Sequence, residues 1–565
     1  MIRKILSKQK IKNANFFVEP DEIFLDSKNL QNFDRQQFEG RIEKPISKKT
    51  IIFTGLFFLL FLGAFSSRLG YLQIKKGEAY LNRSQNNVLE KQIIFSDRGI
   101  IYDKNKIELA WNKKGENLPT TIRTYLAPGF SHILGYVSYP MQDKSGNYWQ
   151  SEFIGKDGLE KQYNQSLKGE NGSKIVEIDA RKVIHSENIV NAPKRGSDLI
   201  TTIDSRIQKE LYTFIKNLSQ SNSFSGGAGV LMNIENGEIL TSVSFPEYDS
   251  EILSQGKDTK KIQSYLNDKR KIFLDRTISG LYTPGSIVKP FFAIGALTEG
   301  IIDPYKKILS TGSISIQNPY FPDQKTVFKD WKAHGWTNMR EAIAVSSDVY
   351  FYEIGGGFEG QKGLGIVNIE KYAKLFSIGE KTGIDLPDEK SGVIPSPEWK
   401  IKNFKNEPWR IGDTYHTVIG QYGFQVTPME MVRAVSAIAN EGTLVTPHYI
   451  LGDIEKEKII SKIDFKKEYF NVIHEGMRQC VLIGTCTLLN VPYLEVAAKT
   501  GTAQVGINKN KINSWIIGFF PYKNPKYAFT IMMEAGPSSG SVGASSIMRQ
   551  LLDWMSINTP EYFML

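Results

Sequence analysis

The chain has 565 residues, 41% of them hydrophobic and 23% charged, and its 70 Lys and Arg outweigh 60 Asp and Glu to give a formal net charge of +10. That length is more than one compact core organises, so two or more domains are expected. The basic excess is lysine-driven and dispersed, without the arginine clusters and interleaved aromatics of a nucleic-acid reader; nucleic acid is excluded as the expected partner, while an anionic membrane surface or a phosphorylated lipid stays compatible.

Residues 1–47 are polar and lysine-rich with little periodicity and read as a disordered tail. Ile51 to Ser67 carries no charge and nearly reaches the ~20 residues a spanning helix needs. It extends toward Leu72 if Arg68 snorkels. A transmembrane helix is expected over 48–74, since no Ala-x-Ala cleavage site follows and the run lacks the polar face of a core helix. Lys48, Lys49 and the basic residues Arg3, Lys4, Lys8, Lys10 and Lys12 orient the N-terminus to the cytoplasm, which puts everything after about residue 75 outside the cytoplasmic (inner) membrane.

Residues 75–195 show no set of groups suited to catalysis and read as an α+β spacer or pedestal. Phe95 to Ala110 predicts two short strands around a turn built by Asp103, Lys104 and Asn105. Gly155 to Gly169 predicts one helix with Leu159, Tyr163 and Leu167 on a face, and Ser173 to Ala180 a strand. From residue 196 to about 560 the character changes. A helix through Ile207, Leu211 and Ile215 precedes a hairpin over 227–245 whose turn is Glu235-Asn236-Gly237. Further strands are expected at 496–505, 514–520 and 527–533. Strands at both ends with helices between them imply one α/β domain whose sheet is assembled from distant segments.

The chemistry is expected at Ser286-x-x-Lys289, where a Pro-Gly turn runs into an apolar helical stretch. Residues three apart share a helical face, so the Lys289 amine can reach the Ser286 hydroxyl, and the helix N-terminus disfavours its protonated form. The same spacing occurs at Ser7 with Lys10 and at Ser254 with Lys257, but neither copy leads into an apolar helix. Ser346 and Asp348 offer a hydroxyl to pass a proton and a carboxylate to orient the lysines, although Ser-Ser-Asp also fits a helix cap. Lys-Thr-Gly occurs twice. Lys381 to Gly383 falls in a connection, whereas Lys499-Thr500-Gly501-Thr502 lies in a strand. There Lys499 presents a cation, Gly501 allows close backbone approach, and the Thr502 and Ser286 amides can form an oxyanion hole. Cys480 and Cys486 are spaced to permit a small closed loop without dictating one; they are expected to be structural, reduced or buried. Asp330 and His334 supply at most two metal ligands and read as a surface hydrogen bond.

The ordered set Ser286-x-x-Lys289, Ser346-x-Asp348 and Lys499-Thr500-Gly501 resembles the penicilloyl-serine transferases. Asp97-Arg-Gly-Ile-Ile-Tyr-Asp103, Gly155-Lys-Asp-Gly-Leu-Glu160, Ile419-Gly-Gln421, Val426-Thr-Pro428 and Ala439-Asn-Glu-Gly442 extend the resemblance to class B penicillin-binding proteins. Ser-Ser-Asp-Val-Tyr-Phe-Tyr is similar to the elongation-type penicillin-binding protein 2. The resemblance implies a β-lactamase/transpeptidase-like domain (196–560) on a dimerisation-type pedestal (75–195), and a peptidoglycan D,D-transpeptidase with catalytic Ser286, Lys289, Ser346, Asp348 and Lys499. Thr500, Gly501 and Thr502 would bind substrate. It implies stem peptides and lipid-linked precursor as substrates, covalent binding of β-lactams, a SEDS-type glycosyltransferase partner, no cofactor and no metal, since Ser347 stands where metal-binding relatives often carry cysteine. The alternatives are a division-type relative, a β-lactamase or carboxypeptidase, and a β-lactam sensor. Asp348 in place of asparagine, Gln421-Tyr-Gly-Phe and Asn513-Ser-Trp515 depart from the pattern.

Overall fold

Ser47 caps a helix over Lys48–Gly70 by accepting the Thr50 amide at 3.1 Å, and a π-turn over Tyr71–Lys75 continues it. With a mean hydropathy of 2.0, this helix is long and apolar enough to cross a membrane. The computed structural model describes residues 47–81, 89–115, 120–178, 184–318, 321–452, 459–506, 510–538 and 542–564. The expected N-terminal tail therefore lies outside the described residues, Ser47 excepted. The chain divides into two units, Met1–Val88 and Leu89–Leu565.

In the second unit, Leu89–Ile94, Gly172–Ile178 and Ile184–Asn191 form an antiparallel sheet. The turn expected at Asp103 is present: its carboxylate accepts the Asn105 and Ile107 amides at 2.7 and 2.8 Å, joining strands Ile101–Tyr102 and Glu108–Lys113. The single helix expected over 155–169 is corrected to two short ones, Gly158–Gln162 and Asn164–Leu167. Tyr163 leaves helical geometry between them (φ −105°, ψ 24°). Its hydroxyl donates to Asp385 at 2.9 Å, tying this segment to the later part of the chain.

Two motif segments meet in an ion triad. Arg98 Nε lies 2.5 Å and Arg123 Nε 2.7 Å from the two carboxylate oxygens of Glu160, with all three side chains at most 1% exposed. Burial pushes the Glu160 carboxyl up, but Arg123 and Arg98 outweigh it and its net shift is downward. Breaking such a group leaves uncompensated buried charge. Glu160→Gln is therefore expected to destabilise the protein by about 3 to 5 kcal/mol, measured by urea unfolding. A carboxyl lowered on folding binds fewer protons than in the unfolded chain, so its stabilisation is full above the ordinary carboxylate range. It is lost as pH falls through the lowered value.

The central sheet has five antiparallel strands in the order Ile239–Phe245, Gly226–Asn233, Tyr527–Pro537, Lys511–Phe520, Ala497–Val505. Strand alternation divides it between two cores. Trp515, Ile517 and Phe519 join the core that holds Met431, Val432 and Val435 of helix Pro428–Ala439. Ile516 and Phe520 join the one that holds Ile207, Leu211 and Ile215 of helix Ser205–Ser221 and Leu551 of helix Ala544–Asn558. The sheet is thus built from segments on both sides of the helical region, as the alternation of strands and helices implies. Its edge strand carries Lys499.

Candidate active site

Gly285, at φ +62°, opens a 3₁₀ turn over Gly285–Val288 that runs into helix Lys289–Thr298, with Pro290 in the first turn, where its missing N–H costs little. Close approach explains two glycines. A Cβ on Gly285 would lie 2.9 Å from the Thr502 carbonyl oxygen, and one on Gly501 would lie 2.7 Å from that of Pro284. The strand and the serine turn therefore approach closely, through backbone atoms and the Ile287 side chain. Ser286 lines a cleft of about 500 Å³ together with Ser346, Asp348, Thr500, Gly501 and Thr502. A larger cavity, lined by Glu235, Lys467 and His474 among others, contains none of the candidate groups.

Both lysines converge on Ser346. Lys289 Nζ donates to Asp348 Oδ1 at 2.6 Å, to the Ser346 carbonyl at 2.8 Å and to Ser346 Oγ at 3.3 Å. Lys499 Nζ donates to the same hydroxyl at 2.8 Å and to the Thr500 carbonyl at 2.9 Å. Each lysine is fully buried. Among the described residues Lys289 is hydrogen-bonded to Ser346 and Asp348 and not to Ser286, which differs from the contact expected of residues three apart. The physical reason is the competing carboxylate, which attracts an ammonium more strongly than a hydroxyl does. Burial holds the Lys499 amine well below its ordinary range, the positive charge of Lys289 lowers it further, and Asp348 opposes both.

The helix-cap reading of Ser-Ser-Asp holds on Ser347, while Ser346 and Asp348 line the cleft. Ser347 caps helix Asp348–Gly356 by accepting the Tyr350 amide at 3.3 Å. Ser346, in the left-handed region at φ +61°, ends helix Met339–Val345 and turns into the cleft. A non-glycine residue in that region is held there by its surroundings, here two lysines.

The remaining candidates separate cleanly. Ser254 is buried and accepts the Val137 amide at 3.2 Å, outside the cleft. Ser7 lies outside the described residues. The first Lys-Thr-Gly is in a loop, where Thr382 and Gly383 donate their amides to Glu389 at 2.7 and 3.2 Å. Asp330 and His334 are corrected from a surface pair to a buried one, 3.5 Å apart with side chains at most 5% exposed. The Asp330 carboxylate accepts Ser347 Oγ at 2.9 Å, the Val349 amide at 3.0 Å and Ser310 Oγ at 3.3 Å. A carboxylate filled in this way, beside two serine hydroxyls, does not fit the metal some relatives hold before the second motif. Among the described residues no group of three metal-ligating side chains occurs.

The departures from the family pattern are accommodated near the site. Tyr422, at φ +61°, stacks on Phe404 at 5.8 Å and meets Trp399 and Trp409, next to Gly420, whose carbonyl accepts the Gly285 amide at 3.0 Å. Ser514 and Trp515 line the cleft, and the Trp515 indole donates to the Thr283 carbonyl at 3.0 Å.

Two features were not expected. Cys480 and Cys486 are buried but disulfide-bonded, which corrects the reduced alternative: the Cys486 amide donates to the Cys480 carbonyl at 2.9 Å, folding the helix end back to a Cα separation of 5.1 Å. Thr485, between them, lines the cleft. Its signal in the sequence was its position inside the cysteine pair.

The transpeptidase-domain model of penicillin-binding proteins matches residues 227–553, more than half of the chain. The chain belongs to the penicillin-binding transpeptidase family. The penicillin-binding protein dimerisation-domain model matches residues 117–201. The peptidoglycan D,D-transpeptidase MrdA of Escherichia coli is 27% identical over 617 residues, covering 90% of this chain and 94% of that one. Penicillin-binding protein 2 of Helicobacter pylori, in its complex with MreC, is 28% identical with a TM-score of 0.69, over 83% of this chain and 99% of that one. A structure described as coordinating polymerisation and cross-linking in a peptidoglycan synthase complex is 25% identical with a TM-score of 0.69, over 89% of this chain and 97% of that one. These relatives put this transpeptidase family member in the class B, elongation-type branch.

Proposed function

We propose that the protein is the peptidoglycan D,D-transpeptidase of a cell-elongation machinery, acting through a Ser286 acyl-enzyme. The observation that carries the reading is the convergence of Lys289 and Lys499 on Ser346 Oγ, with Asp348 compensating one of the two charges, in the cleft that holds Ser286. Two adjacent buried ammonium groups are costly, so one amine is neutral at rest. Lys289 gives a proton to Ser346 Oγ as Ser346 gives its own to Lys499, and the freed Lys289 amine turns to take the Ser286 proton. Ser286 Oγ then attacks the penultimate D-alanine carbonyl of a stem pentapeptide. The Ser286 and Thr502 amides stabilise the developing oxyanion. The C–N bond to the terminal D-alanine breaks, and its amine leaves with the proton held by Lys289. An amine of a neighbouring stem attacks the ester and gives its proton to the neutral Lys289 amine, and the peptide cross-link forms as the ester C–O bond breaks. Lys289 passes that proton to the displaced Ser286 Oγ, and Ser346 returns the Lys499 proton to Lys289.

In this reading residues 75–195 form the pedestal, 196–560 form the transpeptidase domain, and the Lys48–Gly70 helix anchors the chain with its N-terminus inside and its active site outside the cytoplasmic membrane. Residues 75–195 carry no candidate carboxylate pair for glycan synthesis, so polymerisation falls to a partner. A SEDS-type glycosyltransferase suits that role, supported by the likeness to a synthase complex. Purified full-length protein given lipid-linked disaccharide pentapeptide is expected to make no polymer alone and to cross-link glycan once such a polymerase is added. Polymer made by the isolated chain, or cross-linking at full rate without the polymerase, would overturn the division of labour.

A further inference from the structure

Cys480, Cys486 and Thr485 take no part in the proton relay. Cys480, in the last turn of helix Lys467–Ile483, and Cys486 are both fully buried, and their disulfide closes a turn over Gly484 and Thr485. This turn touches both walls of the cleft. On one side the Thr485 amide donates to the Ala344 carbonyl at 3.2 Å, two residues before Ser346, and Gly484 lies so close that a Cβ there would be 2.1 Å from the same oxygen. On the other, Thr485 Oγ1 is 2.5 Å from Thr500 Oγ1, in the middle of Lys499-Thr500-Gly501. Thr485 Oγ1 also lies 3.2 Å from Cys480 Sγ, so its rotamer is set against the disulfide itself.

We propose that Thr485 is a positioning residue: held by the Cys480–Cys486 disulfide, it pins the Lys499–Thr502 strand at a fixed distance from the Ser346 turn and so sets the width of the acylation cleft. Among the described residues, strand Ala497–Val505 is an edge strand, hydrogen-bonded within its sheet only to Lys511–Phe520. Its cleft side has no neighbouring strand to fix it there. A turn that could slide would not hold it either; the cross-link, the Ala344 contact and the burial of both sulfurs make the turn rigid. Gly484 is required because any side chain would push the turn off the Ala344 carbonyl. Positional errors of this kind cost rate without unfolding anything, because the reacting groups must be aligned before the chemistry.

The inference rests on the transpeptidase reading. The experiment measures the acylation rate constant and the binding constant separately, with a fluorescent penicillin on the full-length protein in detergent. Thr485→Val, which keeps the shape and removes the hydroxyl, is expected to lower acylation efficiency about tenfold, the effect of one lost hydrogen bond, at an unchanged melting temperature. Thr485→Ser is expected to restore it. Cys480→Ala with Cys486→Ala should give a similar loss, and adding Thr485→Val to that pair should lower it no further, because coupled residues are not additive. Wild-type efficiency in Thr485→Val, failure of serine to rescue, or full multiplication of the two losses would overturn the proposal. If the cysteine variant does not fold, valine against serine at 485 decides alone. Absence of Ser286 labelling in the wild type is a separate outcome that overturns the transpeptidase reading itself.

Discussion

Ser286→Ala is expected to abolish covalent labelling by penicillin while changing stability by no more than about 0.5 kcal/mol. Removal of a nucleophilic serine elsewhere costs roughly 10⁶-fold in rate; here no ester can form at all. The near-constant stability follows from position: Ser286 is only part-buried, on a turn whose shape depends on Gly285 and on backbone contacts with Thr502 and Gly420. Mass spectrometry of the β-lactam adduct checks the result on both variants. A wild-type adduct on Ser346 or Ser254 with Ser286 unmodified would remove the assignment, and Ser346 is the demanding control because it lies in the same cleft and is hydrogen-bonded to both lysines.

The duplicated Lys-Thr-Gly supplies an internal comparison for the second large effect. Lys499→Ala is expected to lower the acylation rate by roughly two to three orders of magnitude, as loss of a preorganised electrostatic group does. Lys381→Ala should leave it within about twofold, because its motif donates to Glu389 in a loop outside the cleft. The pH dependence has a definite sign. Lys499 is lowered by burial first and by Lys289 second, so it is neutral over a window below the ordinary lysine range and accepts a proton only when pH falls through its lowered value. Acylation by the wild type should therefore fall on the acid side as Lys499 becomes charged beside Lys289, and that dependence should be missing from the residual activity of Lys499→Ala. Stopped-flow acylation against pH measures both. Equal rates in the two lysine variants would mean that the wrong copy carries the chemistry.

Much of this was legible in the residues alone. An uncharged run defines the apolar helix after Ser47, since the interior backbone groups of a helix are satisfied within it and its side chains meet the surroundings. The Asp103 turn, the 227–245 hairpin and the Pro-Gly entry to the Ser286 helix are likewise written in near neighbours. That Lys499-Thr500-Gly501 lies in a strand and Lys381-Thr382-Gly383 in a connection needed only strand patterning, because a strand alternates apolar positions and a connection does not. Local chemistry failed where a distant partner competed with it. The helix expected over 155–169 breaks at Tyr163, whose hydroxyl reaches Asp385. Lys289 turns from its neighbour Ser286 to Asp348, 59 residues away, and Lys499 meets Ser346 across 153. The Cys480–Cys486 bond, the burial of Asp330 and the place of Thr485 against Thr500 belong to the same class. Periodicity and turn chemistry act over a few bonds and can be read in order, whereas ion pairs, cross-links and cleft width depend on which segments the closed sheet brings within a few ångströms, and that only the tertiary structure decided.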